Sequence, residues 1–370
     1  MFCYGTRPEF IKIAPVVLAM KNYPQLKTLL MCSGQHKELL KSMDNIFGLE
    51  NNYDLRIRTK VGKNDDLSIL GSHLLFAFSK KIKELNPDAA VVQGDAASTF
   101  YAALAAFQQK VPVFYVEAGL RTYDLSRPFP EEGYRQMITR LATVCFAPTK
   151  TSRKNLICEG VAKNQIHIVG NTVVDALKKI RSKFTSAEKR RILERKIPQL
   201  KRKGNRKLVV VEIHRRENYQ KPLIQILKAL LLIQTKHPDC FFVFSVHPSP
   251  NIKPVVNKFL KGKEGFLLIK PPDYLTFIAL VELATLVITD SGGLQEEIPT
   301  FGIPAMVARE KTERVEGLVR GWSALVGFDK DKILESFESF KNWQKPQGQN
   351  PFGDGKSAER IAKTIYEYFH

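Results

Sequence analysis

Short apolar runs alternate with longer stretches of helical spacing through most of the chain. In the first half, Leu29–Cys32, Ala89–Val92, Val111–Val116, Val144–Ala147 and Ile166–Val169 read as strands. Helical patterns at Ile11–Met20, His36–Met43 and Thr99–Gln108 lie between them, the first entered through Pro8, a residue tolerated in a first turn. After a basic stretch the alternation restarts. Leu208–Val211, Cys240–Val246, Phe266–Ile269, Leu286–Ile288 and Ala305–Val307 read as strands, with helices at Leu223–Gln234, Tyr274–Ala284 and, terminally, Ser357–Tyr368. Near-continuous apolar strands suit parallel sheets covered on both faces, and strand–helix alternation implies right-handed βαβ units. The expected fold class is α/β, with two doubly wound Rossmann-like domains in series.

In open parallel sheets, ligands bind beyond the carboxyl ends of the strands. Arg7, Asp95, Glu117, His214, His247 and Asp290 with Ser291 all fall at such ends. Their recurrence in both halves predicts a single cleft between two facing sheets. Ser291-Gly292-Gly293 follows the strand Leu286–Ile288 and opens a helix, where backbone N–H groups form an anion site. Glu296 and Glu297 are expected on the first turn of that helix, where carboxylates suit the dipole.

Arg7 and Lys12 are candidate diphosphate ligands, one a fork and one a point charge. Asp95, Glu117 and the pair Glu131-Glu132 supply carboxylates for acid–base work. Asp95 is also readable as a helix cap, with function the favoured reading. A buried Glu117 needs a partner, for which Arg121 and Arg135 are the candidates. His214 leads a His-Arg-Arg-Glu-Asn segment suited to an anion and a proton. His247-Pro248 lacks a second metal ligand and reads as a hydrogen-bonded structural histidine. Arg314 either braces a diphosphate or pairs with Glu313.

The 370 residues suit two domains, and 44% hydrophobic residues suffice for two cores. Five scattered cysteines show neither metal nor disulfide spacing, which fits a reducing cytoplasm. No apolar run is long enough for a membrane span, and no signal segment opens the chain. Much of the +20 net charge lies in the stretch from Lys178 to Lys207, which reads as a solvated helix face plus a linker. It lacks the interleaved aromatics of a nucleic-acid binder, so no nucleic acid is expected as a partner, and without an apolar span no membrane is expected either. No phosphate loop, dinucleotide fingerprint or nucleophile elbow occurs, so NAD and ATP are unsupported and no cofactor or metal is expected.

Taken in order, these segments resemble the UDP-N-acetylglucosamine 2-epimerases. The matching blocks are Gly5–Lys12, Ser33–His36, Gln93–Asp95, Val116–Thr122, Pro128–Glu132, Gly170–Val173, His214–Asn218, Thr289–Glu297, Thr312–Arg314 and Asn350–Gly355. The resemblance implies a GT-B architecture: an N-terminal domain over 1–170 completed by a C-terminal helix over 355–370, and a UDP-binding domain over 171–354. It implies reversible epimerisation of UDP-GlcNAc to UDP-ManNAc, through elimination of UDP to a 2-acetamidoglucal and re-addition, supplying ManNAc-type sugars for surface polysaccharide.

By motif, Asp95, Glu117 and Glu131 become acid–base candidates and His214 an aid to the departing diphosphate. Arg7, Lys12, Ser291, Gly292, Gly293 and Arg314 match phosphate positions, Glu297 the ribose ligand, and Phe277 the uracil pocket. Gln35 and His36 match a region where some members hold an activating second substrate molecule. A homodimer is implied by the resemblance alone. Ala96-Ala97-Ser98-Thr99, Tyr134, Glu212-Ile213 and Lys63–Asp66 depart from the common pattern. A hydrolysing relative releasing ManNAc and UDP, a GT-B glycosyltransferase and a non-catalytic binder remain the alternatives.

Overall fold

The structure, a computed structural model, describes residues 1–34, 46–57, 67–215 and 218–370. Gln35, His36 and Lys63–Asp66 lie outside the described residues. The chain divides into two compact units, Met1–Lys178 with Phe352–His370, and Lys179–Pro351. The first division falls inside the helix Thr172–Lys183, eight residues beyond the expected boundary at 170, and the second three residues before 355.

In the first unit seven strands form one parallel sheet: β1 (Phe2–Tyr4), β2 (Leu30–Cys32), β3 (Tyr53–Asp54), β4 (Ala90–Gln93), β5 (Val113–Val116), β6 (Val144–Ala147) and β7 (Ile166–Ile168). Their order is β3-β2-β1-β4-β5-β6-β7. The C-terminal helix Ser357–Phe369 belongs to this unit, with Tyr368 set edge-on to Phe114 of β5.

The second unit holds β8 (Lys207–Ile213), β9 (Cys240–Val246), β10 (Phe266–Ile269), β11 (Leu286–Thr289), β12 (Ala305–Val307) and β13 (Ser323–Leu325), ordered β10-β9-β8-β11-β12-β13. Every described pairing is parallel, as between Val210 and Val287 in β8 and β11. Along β8, Val209, Val211 and Ile213 enter one core while Leu208 and Val210 enter another. Period-two alternation thus fills both faces of the sheet.

The basic stretch is no linker. Thr185 and Glu188 form a capping box that starts the helix Ser186–Lys196, and Leu193 and Ile197 are buried in the second unit's core. The helix Leu67–Leu85 was not anticipated, although Leu74, Phe78 and Ile82 repeat every fourth residue and are buried. The edge strands β3 and β13 were also missed, being two and three residues long and not fully buried.

Candidate active site

In both sheets the strand order reverses beside the first strand, between β1 and β4 and between β8 and β11. Such a switch point is where the chain diverges and leaves room for a ligand beyond the strand ends. Arg7 follows β1, Asp95 follows β4, His214 follows β8 and Ser291 follows β11. Topology therefore groups these strand-end residues at the two switch points.

At the first switch point the helix Arg7–Met20 begins with a capping box between Thr6 and Glu9. The buried Glu9 carboxylate accepts from the N–H groups of Thr6 (2.7 Å) and Gly5 (3.1 Å), and from the hydroxyls of Thr99 (2.7 Å) and Ser98 (2.9 Å). It ties the turn after β1 to the helix after β4. Burial pushes its pKa up, while these hydrogen bonds oppose the shift. Sequence reading gave Glu9 no role; its place three residues after Thr6 was the available signal.

Glu117, just past β5, is buried and has φ +69°. A residue with a Cβ held in the left-handed region stores about 1–3 kcal/mol of strain, maintained by its surroundings. Its Oε2 accepts from Lys12 Nζ and from Asn171 Nδ2, the latter at 2.9 Å. Lys12, expected at the diphosphate, is buried in this ion pair. Arg121 forks onto Glu159 at 2.7 and 2.8 Å, and Arg135 lies 3.2 Å from Asp95.

Asp95 is not the N-cap residue of Ala97–Gln108, which is Ala96. The Asp95 side chain is 31% exposed, open enough to meet a ligand. Glu131 and Glu132 open the helix Glu131–Leu141 but part in role. Glu132 is fully buried and accepts from the N–H groups of Thr122 and Tyr123, both at 3.1 Å. It fixes the loop after Glu117, and Glu131 remains the acid–base candidate. Tyr134, a departure from the common pattern, stacks on Phe100 at 5.0 Å, and burial pushes its hydroxyl up to about 12.

At the second switch point the buried Asp290 accepts from the backbone N–H of His214 (3.0 Å) and Arg215 (2.9 Å), and from Asn218 Nδ2 (2.7 Å). It anchors the loop that carries His214, whose Nδ1 lies 3.3 Å from Asp290 Oδ1. Burial pulls the neighbouring His247 below its ordinary pKa. Its ring lies 6.1 Å from that of His214, and its Nδ1 accepts from Ser249 N–H.

Ser291 is the N-cap of the helix Gly292–Phe301, and Gly292 and Gly293 are its first residues. A Cβ on Gly292 would lie 2.7 Å from Arg314 Nη1, so the guanidinium crosses the helix start only because that position is glycine. Arg314 is held by Glu296, 3.0 Å from its Nε, and by Glu313. A guanidinium over open N–H groups is a site for an anion. Glu296 and Glu297 stand on the second turn, not the first as expected, because the helix begins at Gly292. The dipole therefore gives them little, since its effect fades within one turn. Glu297 accepts from Tyr274 Oη at 3.1 Å, and Phe277 lies three residues along the same helix. Among the described residues no His, Cys, Asp and Glu cluster could hold a metal ion, and no helix is long and apolar enough to cross a membrane.

A family model described as UDP-N-acetylglucosamine 2-epimerase matches residues 18–366. The UDP-N-acetylglucosamine 2-epimerases of Escherichia coli K12 and Yersinia pestis are each 38% identical over 368 residues, 98% of this chain and 96% of the relative. The crystal structure of the Neisseria meningitidis UDP-GlcNAc 2-epimerase bound to UDP-GlcNAc is similar at TM-score 0.92 and 34% identity, covering 99% of this chain and 98% of that one. That of the Methanocaldococcus jannaschii enzyme with UDP-GlcNAc and UDP is similar at TM-score 0.82 and 31% identity, covering 98% of each chain. Two doubly wound parallel sheets, each with polar groups gathered at its switch point, place the chain in the α/β class. The chain belongs to the UDP-N-acetylglucosamine 2-epimerase family.

Proposed function

We propose that this chain interconverts UDP-GlcNAc and UDP-ManNAc by inverting C2, without net hydrolysis. The observation that carries the reading is Glu117: buried, strained at φ +69° and clamped by Lys12 and Asn171. A carboxylate held so firmly suits proton transfer at a fixed carbon.

A carboxylate takes the C2 proton as the C1–O bond to UDP breaks, and the electron pair becomes the C1=C2 bond of a 2-acetamidoglucal. Glu117, Asp95 and Glu131 are the acid–base groups. Arg314, Arg7, His214 and the N–H groups after Ser291 stabilise the departing diphosphate. The C2 hydrogen is only weakly acidic, so this stabilisation lowers the barrier as well as binding the substrate. Glu297 takes the ribose and Phe277 lines the uracil. UDP then re-adds at C1 while a proton arrives on the opposite face of C2.

Incubation with UDP-GlcNAc in D2O, followed by NMR, tests this. Deuterium at C2 of both UDP-sugars is expected; accumulation of free ManNAc would overturn the non-hydrolysing reading, and an inert substrate would overturn epimerisation itself.

The working form is a homodimer. Ile69 and Phe76 lie one heptad apart on one face of Leu67–Leu85, 54% and 73% exposed, which supports a covering second copy. Phe76→Glu is expected to halve the mass in sedimentation. The enzyme works in the cytoplasm, a reading supported by all five cysteines being free thiols.

A further inference from the structure

The charge of this molecule is concentrated. Between Lys178 and Lys207 stand fourteen Lys and Arg against two acids, Glu188 and Glu194, a net +12 of the whole chain's +20. Glu188 is committed to the capping box with Thr185. The cations divide by direction. Lys189 and Arg181 turn toward Glu282, at 2.8 and 3.0 Å. Lys179, Arg190, Arg191, Arg195, Lys196, Lys201 and Arg202 are exposed and make no ion pair among the described residues.

These charges are held on a fixed surface. Buried Leu193 and Ile197 fasten the helix Ser186–Lys196 to the core. The turn Pro198–Lys203 is fastened by Arg206, which donates to the carbonyls of Arg202 and Lys203 while its guanidinium lies 4.7 Å from the Phe241 ring centroid. Arg191 and Arg195 stand four residues apart, a like-charge pair that weakens an isolated helix. No large hydrophobic side chain between Lys178 and Lys207 is prominently exposed, so the strip has neither an apolar wedge for insertion nor a platform for stacking bases. What it offers is a broad excess of positive charge, the complement of a bilayer face rich in anionic headgroups.

We propose that the strip from Lys179 to Arg202 docks the enzyme peripherally and reversibly on an anionic membrane surface. The contact is electrostatic and independent of the catalytic residues, and it needs no spanning helix.

The test is co-sedimentation of the full chain with vesicles of phosphatidylcholine, with and without phosphatidylglycerol, at low and high salt. Binding is expected only to the anionic vesicles, and to fall at high salt as screening shortens the reach of the charges. A variant carrying Arg190→Gln, Arg191→Gln, Arg195→Gln, Lys201→Gln and Arg202→Gln should partition about tenfold less or weaker still, with unchanged epimerase turnover. A control carrying Lys228→Gln, Lys236→Gln, Lys253→Gln, Lys258→Gln and Lys261→Gln removes the same charge from other exposed positions and should still bind. Equal loss in both variants would overturn the strip as the docking surface. Absence of vesicle binding, or binding to RNA alone, would overturn the membrane as its partner.

Discussion

Asn171 donates its side-chain amide to Glu117 over 2.9 Å, and the same side chain accepts from Val173 N–H at 3.0 Å where the helix Thr172–Lys183 begins. The strained carboxylate is thereby held to the frame of the first unit, and Asn171 is a positioning residue. Asn171→Ala is expected to lower kcat about 10–100-fold, a loss of about 1.4–2.7 kcal/mol in transition-state stabilisation, with little change in KM. Asn171→Asp sets a second carboxylate beside Glu117, which disfavours its ionised form, so the acid limb of the rate profile should move to higher pH. A purely structural Asn171 would leave that limb in place.

Lys12 supplies the positive partner of Glu117, and both are buried. Removing one member of a buried pair leaves the other charge uncompensated, at about 3–5 kcal/mol. Lys12→Met is expected to lose turnover together with a large part of its thermal stability in a melting experiment. Had Lys12 served only the diphosphate, the variant would melt like the parent and lose UDP affinity alone.

Much of this architecture was legible because buried parallel strands are nearly unbroken apolar runs. Val144–Ala147, Cys240–Val246, Phe266–Ile269 and Ala305–Val307 begin and end where their pattern says. The polar residues at strand ends were equally visible. Strand order was not, because it is set by crossovers, so nothing in the sequence singled out the ends flanking β1/β4 and β8/β11. Ion-pair partners were also hidden. Glu117 meets Lys12, 105 residues away, and only the packed fold chooses Lys12 over Arg121 for that role. The helix frame of Glu296 and Glu297 was misjudged because Gly292, a weak helix former, already belongs to the helix.

Gly292 makes room for Arg314, so Gly292→Ala must displace the guanidinium from the helix start. UDP affinity should weaken about tenfold, or about 1.4 kcal/mol, as measured by calorimetry. Gly293→Ala, whose Cβ would meet only Ser291 Oγ at 4.0 Å, should bind UDP nearly as the parent does.

Asp354 and Arg360 pair through two bonds of 2.9 and 2.6 Å at the start of the C-terminal helix, which holds the Asp354 carboxyl down at about 2. The sign follows from linkage. A depressed folded-state pKa adds stability above the unfolded value of about 3.9, and that stability is lost as pH falls toward the folded value. Both side chains are partly exposed, so solvent screening limits the contribution to about 0.5–1 kcal/mol. Asp354→Asn is expected to melt lower than the parent at neutral pH, with the gap closing between about pH 4 and pH 2. A gap that stays constant with pH would assign the effect to packing rather than charge.

Asp95 tests the acid–base assignment. Its carboxylate follows β4, is 31% exposed and faces Arg135 at 3.2 Å, whereas the groups assigned to the nucleotide, Arg7 apart, lie in the second unit. Asn keeps the size of the side chain and an acceptor for Arg135, but it cannot carry a proton between solvent and C2. Asp95→Asn is therefore expected to lower turnover by about 10²–10⁴, the usual weight of a general acid or base, with UDP affinity changed less than about twofold. Unchanged turnover would remove Asp95 from the mechanism and leave C2 to Glu117 and Glu131. A parallel loss of UDP affinity would show that Asp95 serves binding of the leaving group as well as proton transfer.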